Sequence, residues 1–237
     1  MQLWLCPIFA FLLGSIPFGL IIAKAKGIEI REHGSGNIGA TNVLRVIGKR
    51  YGFTCLFLDA LKGFIPVLIA VNLIQIAGRT IQIPLGFLDS WALVLPTAEV
   101  MKGQAVHVLT ALAAVLGHNY SPWVGFKGGK GIATSTGVLL ALMPFAVALL
   151  IIVFLLVFLV TRYVSLASIV AAAVLPMMTL WGSWHHGRIQ DGTWNVPLFL
   201  FSLLIAVLAI WKHRTNLQRL RAGTEHRFTR KAKTPHV

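Results

Sequence analysis

Gly128-Gly129-Lys130-Gly131, inside the run Gly125-Phe126-Lys127-Gly128-Gly129-Lys130-Gly131, is a loop almost bare of side chains that carries two lysines. Glycines let backbone N–H groups approach an anion closely, and lysines add point charge at the same place, so a phosphate is the expected ligand. A second run, Gly34-Ser35-Gly36-Asn37-Ile38-Gly39-Ala40-Thr41-Asn42, has the same character and is followed by Arg45. Two such loops suggest two phosphates, or one phosphate held from both sides. The alternative reading is a pair of tight turns with incidental charge. A nucleotide P-loop fits poorly: the spacing from Gly125 to Gly129-Lys130 is one residue short, and Gly131 stands where a Mg-binding Ser or Thr is needed.

Three further groups could do chemistry. His213, Asn216 and Arg219 recur at three-residue spacing, which puts them on one helical face directly after an apolar run. Asp59 and Lys62 share a helix face within another apolar run, where ionisable groups are costly and are expected to face a polar cavity or lock a helix to its neighbour. His118, in Gly117-His118-Asn119-Tyr120, is either a substrate contact or a helix cap. His186 and Asp191 match a His-x4-Asp spacing in which His acts as base and Asp orients it, but so short a pattern arises readily by chance. Cys6 and Cys55 lie in different apolar runs and are read as packing residues; the eight histidines show no metal-ligand spacing, so neither a metal nor a cofactor is expected.

The elements that must position these residues are membrane helices. The 237 residues are 57% hydrophobic and 12% charged, with a mean hydropathy of +0.78, against about 25% charged in soluble domains. Residues 1–23, 132–161, 163–184 and 195–211 carry no charge, and runs of about 20 apolar residues suit a bilayer-spanning helix. Residues 52–75 and 103–117 complete the set. The first run lacks the basic start of a secretory signal and is expected to remain as an anchor.

The net charge of +14 is not a nucleic-acid footprint, because seventeen of the twenty-one Lys and Arg residues sit in four segments beside apolar runs: 24–50, 127–130, Arg162 and 212–233. That is the positive-inside pattern, and it puts all four segments on the cytoplasmic side. Parity then requires residues 132–160 to start and end on one side, so a break at Met143-Pro144 should make a short hairpin there. The expected fold class is an all-α integral membrane protein with about seven transmembrane helices and its N-terminus outside. If Arg162 were external, six spans would result. Residues 76–102 are expected to form an external connection with an interfacial helix. No repeat or second domain is seen, so 1–237 reads as a single membrane-embedded domain, with 226–237 as a basic cytoplasmic tail.

At this point a resemblance becomes specific. Gly14-Ser15-Ile16-Pro17-Phe18-Gly19, the run Gly34 to Asn42, Gly117-His118 leading to Phe126 through Thr134, and His213-x-x-Asn216-x-x-Arg219-Leu220-x-x-Gly223-x-Glu225-x-Arg227 resemble, in order, the motifs of the bacterial acyl-phosphate:glycerol-3-phosphate acyltransferases, the PlsY family. Arg162 through Ser168 resembles the segment before the family's penultimate helix. Pro122 after Ser121 and the length of residues 76–102 depart from the family pattern and bear on loop shape.

The resemblance implies transfer of a fatty acyl group from acyl phosphate to the 1-hydroxyl of sn-glycerol 3-phosphate, giving lysophosphatidic acid and phosphate, in the bacterial cytoplasmic membrane. It implies neither acyl-CoA nor acyl-carrier protein as donor. Ser35, Arg45, Lys130, His213 and Asn216 would be catalytic and hold the glycerol phosphate. Thr41, Asn42, Ser168 and the amides of Gly34, Gly36, Gly128, Gly129 and Gly131 would organise the acyl-phosphate end, with Asn37, His118, Lys127 and Arg219 as further binding residues. Membrane lipid and transient contact with the enzyme that makes acyl phosphate are the expected partners, and nucleic acid is not. The residue chemistry agrees: phosphate leaves easily from a mixed anhydride, so positioning and charge neutralisation can carry much of the barrier without a side-chain base. The acyl tail is expected along helix 1. Two other classes remain, a transporter of a phosphorylated metabolite and a His-x4-Asp acyltransferase using acyl-CoA or acyl-carrier protein.

Overall fold

The computed structural model describes residues 2–228, and from residue 229 onward the expected basic tail lies outside the described residues. Ten helices follow in order: α1 (Gln2–Gly14), α2 (Phe18–Lys24), α3 (Ala40–Val46), α4 (Lys49–Leu73), α5 (Val100–Asn119), α6 (Ile132–Leu142), α7 (Pro144–Thr161), α8 (Val164–His185), α9 (Val196–Lys212) and α10 (Arg214–Arg221). Five stretches are long and apolar enough to cross a membrane, with α1 and α2 acting as one. α9 with its bent continuation α10 makes a sixth, and α6, apolar but only eleven residues long, is a seventh membrane helix shorter than a full span.

The α6–α7 hairpin breaks where the proline requires it. Met143 sits at φ −152°, ψ 68°, because Pro144 excludes its predecessor from helical backbone geometry. α7 then exposes Ile151, Ile152, Leu155, Leu156, Leu159 and Val160, the pattern of a helix whose outer face meets lipid.

Lipid tails are as apolar as leucine, so helices associate here by close packing over small residues. α1 meets α5 where a Cβ on Gly14 would strike the Ala114 carbonyl and one on Gly117 would strike the Phe11 carbonyl. α4 meets α6 likewise, with Gly63 against the Thr134 carbonyl and Gly137 against the Ala60 carbonyl. Around these contacts Ala10, Val67, Ala111, Val115, Val138 and Leu175 form the main buried cluster.

Residues 76–102 differ from expectation. Instead of an interfacial helix, two short strands, β1 (Ile74–Ile76) and β2 (Leu93–Leu95), pair in parallel with Ile74 opposite Leu93 and Ile76 opposite Leu95. Their apolar residues cap α5, where a side chain on Gly103 would crowd Ile76 and Leu95. Two 3₁₀ segments, Gly86–Trp91 and Thr97–Glu99, are the other regular pieces of the connection among the described residues. Buried Asn72 pins the loop, donating to the Leu68 and Ile83 carbonyls and accepting from the Leu85 amide. A local pattern could not show this, since the pairing joins segments almost twenty residues apart.

Gly137→Val should overpack the α4–α6 contact and destabilise the protein by about 1–3 kcal/mol. Thermal unfolding in detergent, compared with Gly182→Ala, where a Cβ meets nothing within 4 Å, would measure it.

Candidate functional site

The four basic segments meet at one end of the helices. Arg31 Nη2 donates to the Lys127 carbonyl at 2.8 Å, joining the first two segments. The Phe228 amide donates to the Arg162 carbonyl at 3.0 Å, joining the last two. Lys130 Nζ donates to Asn216 Oδ1, linking the second and fourth, and the Arg45 guanidinium lies 6.0 Å from the Phe228 ring centre.

The first glycine run is shaped by two asparagines. Asn42, 1% exposed, accepts from the Ser35 amide at 2.9 Å and donates to the Ile30 and His33 carbonyls. Asn37 Oδ1 accepts from the Gly39 amide, a side-chain turn. Both side chains therefore build the loop, and Gly34 and Gly36 supply its positive φ values of 61° and 68°. Ser35, Thr41 and Arg45 are left facing the cavity.

The second run corrects an expectation about its amides. The Gly128 and Gly129 N–H groups donate to the Asn119 and His118 carbonyls at 3.3 and 3.2 Å, so they close the end of α5 and are not free for an anion. The reason is packing: a Cβ on Gly128 would strike the His118 carbonyl, and one on Gly129 would strike the His118 ring. What reaches the cavity is Lys130, Gly131, Ile132 and Ala133, the start of α6. First-turn helix amides have no intrahelical acceptor and carry the positive end of the helix dipole, so the start of α6, not Gly128-Gly129, offers backbone donors to the cavity.

Behind the loop lies the buried pair from α4. Lys62 Nζ sits 2.8 Å from Asp59 Oδ1 and donates to the Ile16 carbonyl at 2.6 Å. His118 Nδ1 is 3.7 Å from the same carboxylate oxygen. Asp59 touches the cavity, whereas His118 does not and instead supports Gly129 from beneath. Lys212 Nζ donates to the Asn119 carbonyl, and Ser121 Oγ donates to the Ser15 carbonyl, fastening the loop to α9 and to the break after α1.

The last segment is organised by a residue to which sequence reasoning gave no role. Glu225 accepts from Ser165 Oγ at 2.7 Å, Asn216 Nδ2 at 2.6 Å and Arg219 Nε at 2.8 Å. The signal was present, since Glu225 is the one acidic residue within 212–233. Burial would raise its carboxyl, but the hydrogen bonds from Arg219, Asn216 and Ser165 outweigh that and hold it below the usual carboxylate range. His213 Nδ1 lies 2.8 Å from the Ala209 carbonyl, which puts the proton on Nδ1 and leaves Nε2 as an acceptor. Burial lowers the Lys130 ammonium to about 8; Glu225 opposes the shift, and Arg219 and Arg45 add to it.

Together these residues line a cavity of about 510 Å³ that contains Ser35, Asn37, Thr41, Asn42, Arg45, Lys130, Gly131, Ser168, His213, Asn216 and Arg219. Gly34, Gly36, His118, Lys127, Gly128 and Gly129 lie outside its lining. Its apolar wall is also unlike the expectation. α1 contributes nothing, being packed on α5; Phe53 and Leu56 of α4 with Phe154 and Phe158 of α7 form the wall. Phe53 and Leu56 are 59% and 46% exposed, so the wall runs out onto the lipid-facing surface. His186 and Asp191 share no hydrogen bond or ion pair among the described residues, and His186 lines a separate cavity at the other end of the helices.

Fold and site define a multi-pass helical membrane protein with a basic pocket at one end that continues sideways into the apolar zone. The family model for glycerol-3-phosphate acyltransferase matches residues 4–223. A glycerol-3-phosphate acyltransferase of Aquifex aeolicus is 44% identical over 221 residues, covering 93% of this chain and 96% of that protein. One from Geobacter metallireducens is 47% identical over 219 residues, covering 92% and 94%. Crystal structures of PlsY (YgiH), an integral membrane glycerol 3-phosphate acyltransferase, superpose with TM-scores of 0.77 for the glycerol 3-phosphate form and 0.74 for the lysophosphatidic acid form. These are 41% and 40% identical, each covering 97% of this chain and 96% of the other. The chain belongs to the glycerol-3-phosphate acyltransferase family.

Glu225→Ala leaves three donors without an acceptor and should cost about 2–3 kcal/mol at neutral pH. A carboxylate with a depressed folded pKa contributes stability above its unfolded value and loses it as pH falls through the folded one. Melting temperatures of wild type and variant in detergent should therefore converge below about pH 4.

Proposed function

We propose that this protein transfers a fatty acyl group from acyl phosphate to the 1-hydroxyl of sn-glycerol 3-phosphate, releasing lysophosphatidic acid and inorganic phosphate. The observation that carries the proposal is the union, in one cavity, of Ser35, Arg45, Lys130, His213 and Asn216 with a lateral apolar wall. A charged, water-soluble substrate and a lipidic one can meet only where such surfaces adjoin. The forms of PlsY bound to glycerol 3-phosphate and to lysophosphatidic acid are consistent with this.

In this scheme Lys130, Arg45 and the amides at the start of α6 hold phosphate groups and offset repulsion between the two anionic substrates. Asn216, fixed between Lys130 and Glu225, and His213 Nε2 orient the glycerol end. The hydroxyl oxygen adds to the acyl carbonyl, the carbon–oxygen bond to phosphate breaks, and the departing phosphate takes the hydroxyl proton. No side-chain base is required. Thr41 and Ser168 sit toward the donor, with the acyl chain along Phe53, Leu56, Phe154 and Phe158.

By the positive-inside rule the basic end and the C-terminus are cytoplasmic and the N-terminus is outside, in a bacterial inner membrane. Acyl phosphate then comes from the cytoplasm, which favours brief contact with the enzyme that makes it, while product leaves into membrane lipid. The transporter alternative is disfavoured because the polar groups gather at one end of the helices instead of at mid-depth.

Purified protein given glycerol 3-phosphate should release phosphate and form lysophosphatidic acid with acyl phosphate but not with acyl-CoA. Equal or greater turnover with acyl-CoA would overturn the donor assignment. Lys130 gives a second check. Its ammonium is present below about pH 8 and lost above it, so the KM for glycerol 3-phosphate should rise by up to about tenfold per pH unit above that point. Lys130→Met should have a raised KM throughout and no such limb.

A further inference from the structure

The helices that grip the acyl-transfer pocket by one end frame a second cavity by the other. Its volume is about 780 Å³, larger than the first. α4 contributes Gly52 and Leu56 to the first cavity and Val71 to the second; α8 contributes Ser165 and Ser168 to the first, Met178 and Trp181 to the second. The two sites therefore face opposite leaflets.

Its construction points to an amphiphile. The cationic side chains lining it are Arg79 and Arg188, beside His107 and His186, and among the described residues no Asp or Glu lines it. Arg79 engages the Thr193 carbonyl through one nitrogen, its one side-chain hydrogen bond among the described residues, and ties the 78–82 loop to the 186–195 loop. Both arginines are exposed at the rim. Beneath them the wall turns apolar, through Leu142, Pro144, Phe145, Leu149 and Trp181. Phe145 and Trp181 are 74% and 52% exposed, so this apolar wall is open to the bilayer. Gln104, in the second turn of α5 at the same end of the helices, is 6% exposed and its Oε1 has no hydrogen-bond partner among the described residues. Such an acceptor is costly to bury unless a donor arrives.

The broken span explains why space exists here. α6 has eleven residues, a rise of about 17 Å, against an apolar core of about 30 Å. Its last residues and the hinge, Leu142 to Pro144, line the cavity. The short helix thus stops before the far headgroups, and the volume it leaves is walled by α5, α8 and the loops.

We propose that this cavity binds an anionic membrane phospholipid from the leaflet opposite the acyl-transfer pocket. Its phosphodiester lies between Arg79 and Arg188, a headgroup hydroxyl donates to Gln104, and the acyl chains run along Leu142, Phe145 and Trp181. The lipid completes the bilayer-facing wall that the hairpin leaves open. This site is independent of the acyl donor.

Native mass spectrometry of the detergent-purified chain tests it, with phosphatidylglycerol, phosphatidylcholine of the same chains, and inorganic phosphate as probes. Phosphatidylglycerol should be retained in preference to phosphatidylcholine. Arg79→Gln and Arg188→Gln should each weaken retention by about fivefold, with acyl-transfer activity in detergent unchanged. Gly182→Phe, at a lining position where a Cβ meets nothing within 4 Å, should fill the cavity and exclude the lipid without disturbing the fold. Equal retention of the zwitterionic lipid, retention unaltered in all three variants, or displacement by equimolar inorganic phosphate would each overturn the assignment.

Discussion

The basic end of this protein is held together by one buried carboxylate. Arg45, Lys130 and Arg219 crowd a single cavity, and like charges so placed repel unless something negative is set among them. Glu225 does this from a short turn after α10, accepting from α8 through Ser165 and from α10 through Asn216 and Arg219. Asn216 in turn receives the Lys130 ammonium. Three segments distant in sequence are thereby fixed to one point, with net positive charge left over in the cavity.

A second buried charge plays the same part deeper down. Asp59 and Lys62 would be expensive in hydrocarbon, yet the pair is closed on itself and onto the Ile16 carbonyl. It braces the break between α1 and α2 and backs the His118 ring on which Gly129 rests. Two amides of the glycine loop are taken up by the end of α5, which leaves Lys130 and the head of α6 as the part of this segment that lines the cavity. Two ionic clusters, one around Glu225 and one around Asp59 at the cavity's inner edge, add polar ties to the close packing over small residues that joins the helices.

The short α6 links the two ends. Starting α6 at the glycine loop brings a helix N-terminus to the pocket, and stopping it at Met143 lets α7 return to supply Phe154 and Phe158. A full-length helix in its place would have carried the chain to the other side and removed that wall. The same economy of length opens the cavity at the far end.

Much of this was legible in the sequence because it follows from local physics. Apolar run lengths set the spans, proline set the hairpin break, and the distribution of Lys and Arg put four segments together. Arg45, Lys130, His213 and Asn216 stood out by type and spacing, while grouping them with Ser35 in one site came from the family resemblance; the structure brings all five to one cavity. Tertiary structure alone decided how they are used. Asn42 and Asn37 spend their hydrogen bonds on their own loop, and Gly128 and Gly129 on α5, because a polar group's role depends on which partner lies within about 3 Å. The apolar wall fell to α4 and α7 because Gly14 and Gly117 draw α1 onto α5. The β1–β2 pair and the anchoring by Glu225 likewise arise from contacts between segments far apart in the chain. Hydropathy and spacing record what a residue can do, and only the packed bundle determines what is near enough for it to do it.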